Sequence, residues 1–413
     1  MMKKVVVFIE TNFTGLDALT YCKEKGYHSV LITDSYERFL SWFPASSLSK
    51  IDQASEIINV KNSNDLDELV KALKKFEKID AILTFAEIRT LVTAKLAKEM
   101  NVKHSSYQAI EVAQNKSLIR KILDENKVEK VNSVVVKDIN SIDEEIEKNN
   151  LKYPFFIKPL QGHSSIGASV CRDKNDLLNY KQKYIKSNQD GISDELVIED
   201  YLEGQLVSVE TLTFGKGQHA IIGVADRDIV HDCVEIGSSF TLDNQIAGLA
   251  KEKAKKILNC INYDYGSSHI ELIVNDEEAR LVEVNTRVGG SGHSVMMDIA
   301  TGRSIVGDCI ECSLGNLKFN ENLYENKKMG ASWQCFVPNK EGVIKKLPNI
   351  EILQKMKDIT NIWFHYQENE KIEDLKSNFS WVVQVMAKGE DREAAKFNAL
   401  SCINYIRENS LVE

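Results

Sequence analysis

At 413 residues the chain is too long for one ordinary core and suits about two to four packed units. Hydrophobic residues at 43% and charged residues at 27% exclude a disordered or fibrous chain. The formal net charge of -9 argues against nucleic acid or an anionic membrane surface as the main partner, while leaving room for a local basic pocket that takes a polyphosphate.

The opening MMKKVVVFIE sets two lysines before an apolar run that meets Glu10 after about five residues, too short for a signal-peptide core. It reads instead as a first strand of the continuous apolar kind found in parallel sheets. The turn TNFTG carries one glycine, Gly15, and no GxGxxG, so dinucleotide binding there has little support. A helix LDALTYCKEKGY, a strand SVLITDS, a helix NDLDELVKALKKFEK and a strand IDAILTF follow. This alternation predicts a doubly wound α/β layer over the first ~105 residues.

Next come a helix, SLIRKILDEN, and strands around VNSVVV and PFFIKPL, with a glycine- and serine-bearing loop after them. Residues 194 to 290 are strand-rich, interrupted by the helix IAGLAKEKAKKILNC. The last ~90 residues carry ASWQCFVP, GVIKKL and SWVVQVMAKG, then a helix, DREAAKFNALSCINYIREN. There is no repeat, and five prolines leave no Pro-rich linker. No apolar stretch approaches the ~20 residues of a membrane span. Of eight cysteines, Cys309 and Cys312 form the single CxxC, in a helical run without a second pair or histidines. Reduced structural thiols, and with them a cytoplasmic location, are the expectation.

Four segments carry chemistry. In HIELIVNDEEARLVEVNTRVGG two strand-like runs are joined by a short acidic turn, which predicts a hairpin with Glu271 and Glu283 on its two arms. Those carboxylates and the amide oxygen of Asn285 are a hard oxygen set suited to Mg²⁺, and Arg287 sits two residues on. A solvated hairpin is the bland alternative, but two acids and an amide on apolar strands call for a counterion. In FFIKPLQGHSSIGASV, Lys158 ends an apolar strand before a loop with Gly162, Ser164, Ser165 and Gly167, which can fold over phosphates. LVIEDYLEG ends a strand in acid, acid, aromatic, aliphatic, where backbone can pair with a purine edge. Lys116 lies near a helix start, in reach of an anion.

Taken together and in this order, these segments resemble the ATP-grasp superfamily over roughly residues 1 to 320. The last ~90 residues, through ASWQCFVPNKEGVI and VVQVMAKGEDREAA, resemble the C-terminal part of the L-amino-acid ligases, which join two amino acids into a dipeptide. The resemblance implies an α/β and α+β multidomain ATP-grasp fold: a preATP-grasp domain over 1–110, a small lobe over 111–200, a large lobe over 201–325, and a segment 326–413 that completes the large lobe. It implies ATP and Mg²⁺, with Mn²⁺ as an alternative ion, amino acids as substrates, no nucleic acid or membrane partner, and leaves a homodimer open.

The same resemblance implies roles. Lys116 and Lys158 would hold ATP phosphates under the loop from Gly162 to Gly167, with Ser164 and Ser165. Glu199, Asp200, Tyr201 and Leu202 would line the adenine pocket. Glu271, Glu283 and Asn285 would hold magnesium, and Arg287 would steady the acyl phosphate and the tetrahedral intermediate, with Lys158 as the other catalytic residue. Gly289 and Gly290 would let backbone amides approach the substrate carboxylate. Two departures stand out. The expected E-x-G-H stretch reads Glu235, Ile236, Gly237, Ser238, so Glu235 can still take an ammonium while the pocket beside Ser238 is altered. The usual acid after the hinge glycine is Leu206, so Glu210 is the expected ribose contact. A biotin-carboxylase-like or purine-pathway enzyme, and an ATP-binding module without chemistry, are the competing readings. QGHSSIGAS lacks the glycine-richer, lysine-bearing loop of carboxylases, and the intact metal and arginine positions count against a degenerate module.

Overall fold

The computed structural model describes residues 3–35, 48–162, 166–183, 192–230, 233–373, 375 and 377–413. The first unit runs β1 (Val5–Ile9), α1 (Phe13–Lys25), β2 (His28–Thr33), β3 (Glu56–Asn59), α2 (Leu66–Leu73), β4 (Ala81–Leu83) and α3 (Thr90–Glu99). Its sheet is parallel, in the order β3-β2-β1-β4. Val6 and Phe8 pack with Leu16 and Leu19 of α1, whereas Val7 and Ile9 pack with Leu69 and Leu96 of α2 and α3. Both faces of β1 are therefore covered, which is why its sequence is apolar without alternation. Asn12 starts α1 by accepting from the Gly15 amide at 2.9 Å. The expected doubly wound layer is present.

Two helices, α4 (Tyr107–Gln114) and α5 (Lys116–Glu125), lead to β5 (Ser133–Val136), α6 (Ile142–Lys148), β6 (Phe155–Pro159), β7 (Ser169–Cys171), α7 (Lys174–Lys183) and β8 (Leu196–Asp200). The four strands form an antiparallel sheet, β5-β8-β6-β7. It packs on its helices through Phe155, Ile157, Leu177 and Ile142.

The large unit contains β9 (Gln205–Thr213), β10 (His219–Val230), β11 (Val234–Phe240), α8 (Gln245–Cys260), β12 (Gly266–Val274), β13 (Ala279–Asn285), α9 (His293–Thr301) and α10 (Ile305–Ser313). The C-terminal part adds β14 (Gly330–Phe336), β15 (Gly342–Lys346), α11 (Ile350–Gln354), β16 (Ile359–Phe364), β17 (Lys371–Ile372), β18 (Val383–Gly389), α12 (Arg392–Asn409) and β19 (Leu411–Val412). One eight-stranded sheet unites them in the order β13-β12-β9-β10-β11-β14-β18-β16. The C-terminal strands thus continue the sheet beyond β11. No helix among the described residues is long and apolar enough to cross a membrane. Cys309 and Cys312 are buried on α10 without a disulfide, and burial pushes the Cys312 thiol up to about 11.

Candidate active site

A cavity of about 1610 Å³ lies among the first unit, the four-stranded sheet and the eight-stranded sheet. Single ligand pockets run to roughly 300–1,000 Å³, so this one has room for more than one small molecule.

Its floor is the predicted hairpin. Glu271 of β12 stands directly opposite Glu283 of β13 in the antiparallel register. Alternation along β12 is regular: Ile270, Leu272 and Val274 enter the core while His269, Glu271 and Ile273 face the cavity. On β13 the alternation breaks. Leu281 pairs with Leu272, so Val282 is an extra residue, a β-bulge. Ala279, Leu281 and Val284 face the core, while Val282, Glu283 and Asn285 face the cavity. Without the bulge, Glu283 would share the buried face of Leu281.

The donor set fits a hard cation. Glu283 keeps 29% of its side chain exposed, and its salt-bridge partner is Lys116, 3.7 Å away. Asn285 donates Nδ2 to Glu283 Oε1 at 2.9 Å, which leaves its amide oxygen for a cation. Glu271 uses Oε1 for Arg227 Nη1 and His269 Nε2, both at 3.1 Å. Its other oxygen completes two carboxylates and an amide on one face.

Behind Glu271 runs a buried chain of alternating charge. Arg227 of β10 pairs with both Glu235 and Glu271. His269 Nδ1 meets Glu210 at 2.5 Å. Burial opposes ionisation of Glu271, but Arg227 and His269 hold its carboxyl well below the usual range. Burial likewise disfavours charge on His269, yet Glu210 raises its pKa to about 9. Burial raises Glu235, against the pull of Arg227. Among the described residues, Glu210, His269 and His293 also lie close enough to hold a metal. Both ring nitrogens of His269 are already spent on carboxylates, and Arg227 presses a positive charge beside them.

The opposite wall carries the lysines and the hinge. Glu199, at the end of β8, is buried between Lys158 Nζ and Arg120 Nε, each at 2.8 Å. Burial opposes its ionisation, but Lys158 and Arg120 hold it at about 2. Burial lowers Lys158 despite that partner, because Lys116 and Arg120 add their repulsion. Asp200, Tyr201 and Leu202 line the cavity, with Asp200 fixed by Asn132 Nδ2 at 2.8 Å. Arg287 pairs with Glu87, beyond β4, and donates to the Val288 carbonyl at 2.9 Å, so it ties the large unit to the first.

Most of the expected residues therefore meet in one cavity: Lys116, Lys158, Gly162, Glu199 to Leu202, Glu235, Glu271, Glu283, Asn285, Arg287 and Gly290 all line it. Others do not. Glu210 is only 1% exposed, bonded to His269 and absent from the wall, so a ribose contact by it has no surface to use. Ser238 is fully buried, does not line the cavity, and donates to the Asp226 carbonyl at 2.7 Å. Gly289 sits under the rings of His269 and His293, where a Cβ would come within 2.8 Å of the first. Gly167 stands outside the wall, its carbonyl accepting from the Tyr180 hydroxyl at 2.9 Å. Ser164 and Ser165 lie outside the described residues. Glu199 lines the hinge, but its carboxylate serves the cations rather than an adenine.

Several residues escaped the sequence reading. His269 lies two positions before Glu271 and Arg120 four after Lys116, spacings that put each pair on one strand or helix face, so a signal existed. Arg227, in ADRDIV, and Glu87 gave none, because their partners are distant in sequence.

Residues 151–295 match the family model described as ATP-grasp domain. The chain is 22% identical over 356 residues to the carbamoyl phosphate synthase large chain of Bifidobacterium adolescentis, covering 82% of this chain but 30% of that one's length. It is 28% identical over 191 residues to the D-alanine–D-alanine ligase of Flavobacterium psychrophilum, covering 44% of this chain and 56% of the relative. The crystal structure of an L-amino acid ligase from Bacillus licheniformis superposes over 100% of this chain and 99% of its own, with a TM-score of 0.80 and 16% identity. Residues 151–295 thus resemble an ATP-grasp domain, and the chain as a whole has the ATP-grasp fold.

Proposed function

We propose that this protein is an ADP-forming carboxylate–amine ligase that joins two amino acids, using ATP and magnesium. The observation that carries the reading is the pairing of Glu271 with Glu283 on the cavity floor, facing a wall that holds Lys116, Lys158 and the hinge from Glu199 to Leu202. The similarity to an L-amino acid ligase along the whole chain supports the substrate class.

Glu271, Glu283 and Asn285 would hold the magnesium. When bound, the ion offsets charge on the terminal phosphates of ATP. The chain's own residues do the rest. Tyr201 and Leu202 offer apolar surface to a purine, and Lys116 and Lys158 spread phosphate charge. A substrate carboxylate attacks the γ-phosphate, forming an acyl phosphate and releasing ADP. The amine of a second amino acid then attacks the acyl carbon, loses a proton, and inorganic phosphate leaves. Arg287, locked by Glu87 and the Val288 carbonyl, is pre-oriented to stabilise the tetrahedral oxyanion. Glu235 offers a carboxylate to an ammonium group, its charge shared with Arg227.

The test is release of ADP and phosphate over pairs of amino acids, with products identified by mass. Turnover that needs both amino acids and yields the dipeptide mass is expected. Turnover driven by bicarbonate instead, or tight ATP binding without turnover across the panel, would refute it.

A further inference from the structure

The bulge that turns Glu283 into the cavity is itself held in place. β13 is an edge strand of the eight-stranded sheet, so among the described residues its outward amides have no strand partner. At Leu281, the residue just before the bulged Val282, the amide donates to both carboxylate oxygens of Glu129, at 3.1 and 2.9 Å. Glu129 belongs to the loop between α5 and β5, and its side chain is 3% exposed. Its carboxylate is balanced by Arg120 Nη1 at 2.8 Å and by Lys253 Nζ of α8 at 3.2 Å. Arg120 in turn holds Glu199, which holds Lys158. One connected run of charge thus joins the strand of the cavity-floor acid to the lysine of the opposite wall. Glu129 does not line the cavity.

We propose that Glu129 is a positioning residue: by accepting the Leu281 amide at the bulge, and by anchoring that contact to Arg120 and Lys253, it fixes the register in which Glu283 and Asn285 face the cavity. Without this acceptor the Leu281 amide would lose both of its contacts at the bulge, and with them the register that turns Glu283 to the cavity. The inference rests on Glu283 and Asn285 being cation ligands, and it deepens that reading by naming what aims them.

The experiment needs no turnover. Binding of a non-hydrolysable ATP analogue is followed by calorimetry across a magnesium series, for the wild type, Glu129→Ala and, as control, Glu283→Ala. Loss of a partner that orients a metal ligand typically weakens the ion by ~10–100-fold, so Glu129→Ala is expected to raise the half-saturating magnesium at least ~10-fold, with nucleotide affinity at saturating magnesium nearly unchanged. Hydrogen–deuterium exchange at the Leu281 amide should accelerate in the same variant. Glu129→Gln keeps an acceptor oxygen for that amide and serves where alanine does not fold; it is expected to show a smaller rise. A wild-type magnesium dependence and wild-type Leu281 exchange in Glu129→Ala, with Glu283→Ala impaired, would overturn the role of Glu129 alone. If Glu283→Ala also kept the wild-type magnesium dependence, the metal assignment would fall, and amide exchange would still decide whether Glu129 sets the strand.

Discussion

Glu271 and Glu283 face one another, yet their surroundings differ. Glu271 is clamped by Arg227 and His269, whereas Glu283 has a long contact to Lys116 and a bond from Asn285. Removing each neighbour should therefore fail differently. Glu283→Ala is expected to cut ATP turnover on the order of 100-fold or more while leaving the melting temperature almost unchanged, since little packing is lost. Arg227→Met strands two buried carboxylates, Glu235 and Glu271, and should cost about 3–5 kcal/mol, read by urea unfolding. Glu199 gives a pH signature. Its carboxyl falls from 4.5 to about 2 on folding, so its contribution is present above pH 4.5 and is lost as pH drops toward 2. Lys158, pushed down by burial, offsets part of that gain. Melting temperatures taken between pH 5 and 2 should fall less steeply in Glu199→Gln than in the wild type. Of these residues, both acids of the floor were legible as a pair on a hairpin, because alternation and a short acidic turn are local signals. Arg227 was not, because it reaches Glu271 from another strand, 44 positions earlier in the chain.

At the level of elements, the sequence announced the hairpin but not its bulge. Hydrophobic alternation alone would let Glu283 share a face with Leu281; pairing with β12 shows the slip at Val282. The hinge after β8 was legible as a strand ending in EDYLEG, and its glycine proves structurally demanding. Gly204 has a φ of +146°, and a Cβ there would come within 2.5 Å of the Val274 carbonyl oxygen. Gly204→Ala is expected to destabilise by about 1–3 kcal/mol and to weaken nucleotide binding by displacing Tyr201 and Leu202 from the wall, measured by thermal unfolding and by titration with an ATP analogue. Lys116 and Arg120 sit one turn apart on α5, so that short helix serves the floor through Glu283 and the hinge through Glu199.

Across the molecule, the cavity exists only where three units meet, and the Arg287–Glu87 pair is one of the bonds that closes it. A nucleotide seated there contacts the folded chain alone, so it should stabilise the protein. At a hundred times its dissociation constant the gain is about 2.7 kcal/mol, seen as a rise in melting temperature that EDTA reduces if magnesium bridges nucleotide and acids. An equal rise with and without EDTA would count against the metal reading.

The amino-acid sequence by itself determined the kinds and order of many elements, though not β3, α3, α4 or β16, together with the open sheet of the first unit and the acids, lysines and arginine of the candidate site, since periodicity and short spacings are local properties of the chain. Only the tertiary structure decided which of those groups reach the cavity. It buried Glu210 and Ser238, turned Glu283 outward through a bulge, and paired Arg227, Glu87 and Glu129 with residues far along the chain. The physical reason is that burial and ion pairing are settled by what packs against a residue, and at these positions the packing partner comes from a different element.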